Sequence, residues 1–389
     1  MGVYANTVSI TQFAVTGELQ KHELFEWFSG KLSGHVFQSI ENSTEESSEG
    51  WVLVDKPDNA SFDVPSEFWR DNYIVFSLRK DQRKIPAAVL KSHAGREEGL
   101  FLAQNPNLRR TPKHKRDEIK EQVQLRLMTR CLPVPSTVDV VWDMKSGVLT
   151  LFSLGTKVID RFEDIFRKTF EGFSPVIIHP LARARKLLSG QLLDSLEAAN
   201  QAGSDAVVAL IRDNQWLGWE FMLWLLQRGV NGEGEFSVCC PGHISDGEPF
   251  TAWIDDRIQF QGGGEEGGIQ KVTVSGSQDS YLEAISALKG GKRITSATIC
   301  IEKDENPWKV TLKGDTFGFA SFKCPQVRVE KDATVDQMSE REAVFYERMF
   351  LLDQGIQLFD SLFTLFLKER LTEAWNNRLL AVQAWLDGE

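Results

Sequence analysis

Hydrophobic and polar positions change period several times along the chain. From Asn6 to Thr16 they alternate, the period of a strand. A helix is predicted from Glu18 to Lys31, carrying Leu24, Phe25, Trp27 and Phe28. Glu41 to Glu49 is polar, acidic and serine-rich, which predicts a loop. Gly50-Trp51-Val52-Leu53-Val54 restarts a strand, and the β-branched and aromatic run Tyr73 to Leu78 predicts another. Thr111 and Pro112 suit a helix start, a hydroxyl N-cap followed by proline in the first turn. Onward to about Arg130, Ile119, Val123 and Leu127 recur every four residues, a stripe that can rest on a core. Lys113, Arg116 and Lys120 share a face of the same helix. At about 100° per residue the two stripes overlap, the basic one early and the apolar one later. The first turns should therefore project while the later turns pack.

Leu132-Pro133-Val134-Pro135 ends that helix. Val138 to Trp142, a turn from Asp143 to Gly147, and Val148 to Phe152 predict a β-hairpin. A helix from about Lys157 to Phe170 precedes extended Val176 to Pro180, and Ala182–Ala199 and Asp205–Arg228 read as helices. Strands are predicted near Gln270–Ser275, Thr295–Lys303, Lys309–Leu312 and Phe319–Lys323, with a helix at Ser280–Leu288. Gly262 to Gly268 holds only Gly and Glu and reads as a flexible loop or finger. Near the end Phe345, Met349, Leu352, Ile356, Phe359, Phe363 and Phe366 alternate spacings of four and three. That is an a/d seam, which serves either a core helix or a subunit interface. Together with the Trp-rich stretch near Trp216, it is the candidate dimer contact. Strand and helix runs mix without a steady βαβ rhythm, so the fold class is α+β: mixed antiparallel sheets with flanking helices and a long C-terminal helix. Four successive parts are expected, residues 1–75, 76–180, 181–330 and 331–389.

Composition adds little to the class and much to the function. The 389 residues are 42% hydrophobic and 25% charged, ordinary for a globular protein. The 25 Phe and 11 Trp against 4 Tyr imply large aromatic cores or an interface. The most apolar run, Trp216 to Leu226, is about half the length a membrane span needs and contains Glu220. No signal peptide is expected, and Asn6 stands where a myristoylation pattern wants Ser or Thr. The 5 cysteines form no CxxC pair, which suggests a reducing cytoplasm and neither a disulfide framework nor a zinc site.

Charge is polarised. From Arg79 to Arg130 there are 14 Lys and Arg against 6 Asp and Glu, a net of +8 in a chain of −11. Such an island points to one surface that meets a polyanion while the rest stays repulsive. Sequence-independent binding of nucleic acid needs many phosphate contacts and few base contacts. The candidates are Arg79, Lys80, Arg83, Lys84, Arg109, Arg110, Lys113, Lys115, Arg116, Lys120, Arg126 and Arg130.

Catalytic chemistry has weaker signals, and neither a catalytic residue, a metal site nor a cofactor is expected. Asp143-Met144-Lys145 has an Asp-x-Lys look, but its near upstream acid, Asp139, is too close for nuclease spacing, and Ser146-Gly147 makes it a turn. Asp255-Asp256 and Glu302, Asp304 and Glu305 read as solvated loops. Histidines 22, 35, 93, 114, 179 and 243 show no HxH or HExxH spacing. Gly262 to Gly268 lacks the Lys-Ser/Thr of a phosphate loop, and Gly290-Gly291-Lys292 follows a helix, so it reads as a C-cap.

In order, these segments resemble the bacterial recombination-associated protein RdgC family. The likeness rests on Gly50-Trp51-Val52, on Ile74 to Lys91, on the basic helix with Leu132-Pro133 and the hairpin around Trp142 and Gly147, and on Gly291-Lys292, Ile294–Ile301 and the long final helix. The resemblance implies an elongated, horseshoe-like subunit forming a ring-shaped homodimer around double-stranded DNA. It also implies a non-enzymatic, cytoplasmic, nucleoid-associated protein that restrains RecA-type strand exchange through the DNA. The rival class is a metal-dependent exonuclease. The chain departs from the family by extra sequence around Trp216–Gly268 and at the C-terminus. It has Ser275-Gly276-Ser277 where members often carry finger-tip lysines, and Ser136 where some place an aromatic residue. The basic island must then carry more of the binding.

Overall fold

The computed structural model describes residues 2–17, 23–43, 45–263, 268–276, 281–327 and 337–387. In chain order the elements are β1 (Thr7–Thr16), α1 (Leu24–Ser33), β2 (Ser47–Val52), α2 (Pro65–Phe68), β3 (Trp69–Arg70), β4 (Tyr73–Gln82), α3 (Ala87–Gln104), α4 (Lys113–Met128), β5 (Val134–Asp143), β6 (Val148–Leu151) and α5 (Thr156–Thr169). They continue with β7 (Ser174–Ile177), α6 (Pro180–Leu187), α7 (Gln191–Ala199), α8 (Val207–Asp213), α9 (Trp216–Val230), β8 (Glu235–Ser237), β9 (Pro249–Gly263) and β10 (Ile269–Ser275). The last are α10 (Leu282–Lys289), β11 (Arg293–Lys303), β12 (Asn306–Lys313), β13 (Gly318–Lys323), α11 (Gln337–Arg370) and α12 (Ala374–Asp387). The fold is α+β with large antiparallel sheet structure.

Two compact units divide the chain, and neither is continuous in sequence. One comprises Gly17–Met144 and Phe162–Phe173; the other comprises Met1–Thr16, Lys145–Arg161 and Ser174–Glu389. The expected four successive parts match neither. Long-range strand pairing sets the units: β1 pairs β13 near the far end of the chain, and also β6 and β7.

In the smaller unit β4 lies between β2 and β5, all antiparallel, with β3 added to β4. Its core is aromatic: Trp51 meets Phe76 edge-on, and Trp142 packs on Phe28, Phe166 and Phe170. The Trp51 indole N–H donates to Thr169 Oγ1 at 2.8 Å, so the buried donor is satisfied. Gly50 has a physical reason beside it: a Cβ there would collide with the backbone of Val36 and Phe37. The Gly-Trp-Val segment is thus a packing device.

In the larger unit the strand order is β10-β9-β11-β12-β13-β1-β6, with β8 on β9 and β7 on β1. Helix α11 lies on this sheet. Phe359 packs on Phe317 and Phe319, and the Trp308 indole donates to the Leu351 carbonyl at 2.9 Å. At Gly355 a Cβ would sit 2.6 Å from the Trp308 ring, so glycine lets the helix approach. By length and composition Met338–Arg370 could cross a membrane, which makes it, and not the run near Trp216, the most membrane-like segment. Its apolar side chains are instead spent on the core, and Gln357 Nε2 donates to the carbonyls of Cys240 and Ile244.

The a/d seam is therefore a core seam. Phe345, Met349, Leu352, Phe359, Phe363 and Phe366 are buried within their own unit, with Ile356 half-buried. Phe363 and Phe366 meet Phe221 of α9, and Phe366 also meets Trp224 and Trp375. The seam and the Trp-rich helix cover each other, which corrects their assignment as dimer contacts.

Elsewhere the periodicity held and the breaks shifted. Ala182–Ala199 splits into α6 and α7 at Gly190, whose φ is +57°. Asp205–Arg228 splits into α8 and α9 at buried Asn214, whose side chain bonds to the Leu210 carbonyl and to Asn200 Oδ1. The expected loop Glu41–Glu49 gives way to β2 from Ser47, because it pairs with an extended β4 that runs through Arg79 and Lys80. Glu18–His22, the tip of the expected finger at 264–267 and Ser277–Ser280 lie outside the described residues.

Candidate nucleic-acid interface

The basic island folds, within the smaller unit, into the end of β4 and a helical hairpin, α3 and α4. The hairpin carries its own small core: Ile119, Val123 and Leu127 are buried, with Ile85, Leu90 and Phe101 against them. Burial on α4 begins at Ile119, so the first turns do project, as the overlapping stripes predicted. Helix α3 fell between the predicted elements. Its mean pattern is weakly amphipathic because its partner is one helix and not the main sheet.

The twelve candidate cations separate into three groups by what already holds them. Arg79 and Arg83 are spent on structure. Arg79 chelates Asp81 at 2.8 and 3.0 Å, donates to Asp58 at 2.6 Å and stacks 4.4 Å from the Phe37 ring centre. The hydrogen bond to Asp81, first among its contacts, holds its guanidinium pKa above the ordinary value. Arg83 is 4% exposed and donates to the carbonyls of Ile40, Glu41, Ser43, Glu45, Met128 and Cys131. It staples the end of α4 to the segment before β2, and its charge suits the negative end of that helix. These two are corrections to the candidate set: burial removes Arg83, and the carboxylates of Asp81 and Asp58 occupy Arg79.

Lys80, Lys115, Arg116 and Arg126 form surface ion pairs. Lys80 faces its cross-strand neighbour Glu49 at 3.7 Å; Lys115 meets Glu118 at 2.8 Å, Arg116 meets Glu98 at 3.5 Å and Arg126 meets Glu97 at 2.8 Å. Lys115 also depresses the Glu118 carboxyl pKa through that hydrogen bond. Such exposed pairs are worth about 0–1 kcal/mol each, so a phosphate competes for the cation easily.

Lys84, Arg109, Arg110, Lys113, Lys120 and Arg130 are exposed and make no ion pair among the described residues. Lys91 and Arg96 on α3 share that state and belong with them. Both lie inside the basic island, and the irregular period of α3 leaves its exposed face unmarked in the sequence. Arg109 and Arg110 sit in the connection before α4, and its first turn is Lys113-His114-Lys115-Arg116 with no acid. Cations at a helix N-terminus oppose the helix dipole, so an anion placed there would relieve the repulsion. Thr111 does not cap the helix: its hydroxyl is buried without a partner, and no side-chain cap bond forms.

The acidic candidates do not converge. Asp143 ends β5 and accepts from Asn72 Nδ2 at 2.6 Å, with Gly147 at φ +68° closing the turn. Asp255 pairs with Lys309, and Asp304 pairs with Lys303 at 3.0 Å beside exposed Glu302 and Glu305. Among the described residues no three His, Cys, Asp or Glu side chains gather where they could hold a metal. Gly291, at φ +73°, caps α10 as predicted, its N–H donating to the Leu288 carbonyl at 2.9 Å.

A family model described as "Putative exonuclease, RdgC" matches residues 10–209, from β1 through α8, and so spans the whole basic hairpin. No curated protein matches the chain. The match covers just over half of the 389 residues and includes three of the four segments that carried the resemblance; the chain belongs to the RdgC family.

Proposed function

We propose that this protein binds double-stranded DNA without sequence preference and without cleaving it, through the α3–α4 hairpin. The observation that carries the reading is a set of exposed cations that make no ion pair among the described residues: Arg109, Arg110 and Lys113 around the first turn of α4, Lys120 further along it, and Lys84, Lys91, Arg96 and Arg130 elsewhere on the hairpin and its approach. A surface of Arg and Lys with no acid in the helix's first turn suits phosphates and offers little for base edges. Family membership extends the proposal. Two copies form a ring-shaped homodimer on the duplex, in the cytoplasm on the nucleoid, and restrain RecA-type strand exchange by occupying the DNA. The dimer contacts must come from surfaces other than the α11 seam.

Reversing Arg109, Arg110, Lys113 and Arg116 to Glu tests the site by fluorescence anisotropy on a labelled duplex. Binding is expected to vanish at physiological salt; unchanged affinity would place the site elsewhere. The second reading is the exonuclease of the family's description. Loss of labelled duplex in the presence of magnesium would establish it and overturn the non-cleaving part of the proposal.

A further inference from the structure

The larger unit holds a polar cleft of about 690 Å³ lined by residues of β9, β10, β11, β12 and α9, all beyond the span that matches the family. Strand register builds its floor. Lys271 of β10 lies opposite Gln261 of β9, and Gln261 lies opposite Arg293 of β11. Two residues back along β9, Gln259 lies opposite Ser296 of β11, which lies opposite Lys313 of β12. Side chains two apart on a strand share a face, so both rungs point into the cleft, about 7 Å apart. The other face of β9 carries Ile258 and Phe260, both buried in the core.

The charges in this cleft are unbalanced and unpaired. Among the described residues, Lys271, Arg293 and Lys313 share the lining with one carboxylate, Asp315, and none of the three cations is in an ion pair. Trp219 of α9 forms a wall, and the Arg293 guanidinium lies 4.6 Å from its ring centre. Stacking on an indole holds a guanidinium flat, leaving its edge for a phosphate and its far face for a planar group. Gln259, Gln261 and Gln215 add amides, each a donor and an acceptor, the complement of a base edge.

Cations repel a metal ion, and the polar lining does not suit an apolar ligand. The volume lies within the range of small-molecule sites. Duplex DNA turns its bases inward and offers no face to stack, whereas an unpaired nucleotide offers base and phosphate together. We infer that this cleft binds a nucleotide, with Arg293 stacked between Trp219 and the base and with Lys271 and Lys313 on phosphate. The nucleotide comes either free or as an unpaired unit of a strand. The site is separate from the hairpin cations and stands whether or not they bind duplex.

The test uses the full chain and the exposed pair Arg293→Gln with Lys313→Gln, whose circular dichroism should match the parent. Three probes are compared at physiological salt: a fluorescein-labelled oligothymidylate, a labelled duplex, and ATP by calorimetry. The variant should lose about tenfold or more in oligothymidylate or ATP affinity, with duplex affinity held within about twofold. Loss with ATP identifies a free nucleotide; loss with oligothymidylate alone identifies a strand. If neither probe binds the parent, if the variant binds both as well as the parent, or if duplex affinity falls in step, the inference is overturned. Failure of the hairpin reading looks different, because it is read on the duplex with the hairpin variant.

Discussion

Arg83 donates to the carbonyls of Ile40, Glu41, Ser43, Glu45, Met128 and Cys131, while Lys84 beside it meets solvent. Adjacent cations thus do opposite work, and the difference is which face of β4's end each occupies. Arg83→Met should destabilise the smaller unit by about 2–4 kcal/mol, since six carbonyls lose a donor in a buried setting. Urea unfolding checks this, and Arg109→Ala should leave the same midpoint unmoved while weakening duplex binding. A composition count saw both residues as charge. Burial is the property it could not see, because carbonyl partners carry no sequence identity.

His179 is buried with Nδ1 unpartnered, and burial, aided by Arg185, pushes its pKa down from 6.5 to about 4. The folded state then holds this ring neutral where the unfolded chain would protonate it. Between those two values the unfolded state binds more protons, so stability falls as pH drops from 6.5 toward 4, by at most about 3–4 kcal/mol. His179→Gln should flatten that part of the stability–pH curve measured by denaturant titration. A curve that keeps its full slope would place the lost protons on other groups.

At the scale of elements, the hairpin owes its shape to Ile119, Val123 and Leu127 against Ile85, Leu90 and Phe101. That cluster is small, so Ile119→Ala, at about 2–4 kcal/mol, should open the hairpin locally. Hydrogen exchange would then rise across residues 87–128 and leave α11 protected. DNA affinity should fall without any cation having been changed. The stripe on α4 was legible because its period is regular. Helix α3 was not, because its apolar residues gather in two runs, Ala87–Leu90 and Leu100–Ala103, at its ends and leave no regular helical period between them. On α11 the a/d spacing was plain, but spacing alone does not say what fills the groove. Phe221, Trp224 and Phe317 fill it here. Phe363→Ala should therefore cost about 3–5 kcal/mol in thermal or urea unfolding, with no selective loss of self-association by sedimentation.

For the whole molecule, charge polarisation is the property that survives every correction. Outside the island there are 30 basic residues and 49 acidic ones, a net of −19, so the charge outside the island as a whole would repel a polyanion. The antiparallel α+β class followed from mixed strand and helix runs. The division into two interleaved units did not, because β1 joins β13, β6 and β7 across most of the chain, and pairing at that range leaves no local mark. The nucleotide cleft was equally silent: Lys271, Arg293 and Lys313 are far apart in sequence and meet only through strand register.

The central claim is that exposed hairpin cations hold DNA by its phosphates. Its most direct test is the salt dependence of duplex affinity by fluorescence anisotropy, for the parent and for the Arg109, Arg110, Lys113 and Arg116 reversal. With roughly five to eight phosphate contacts, log affinity should fall against log salt with a slope of about −4.5 to −7, and the reversal should abolish binding and flatten the slope. A parent slope near zero, or a reversal variant that keeps both affinity and slope, would contradict the account.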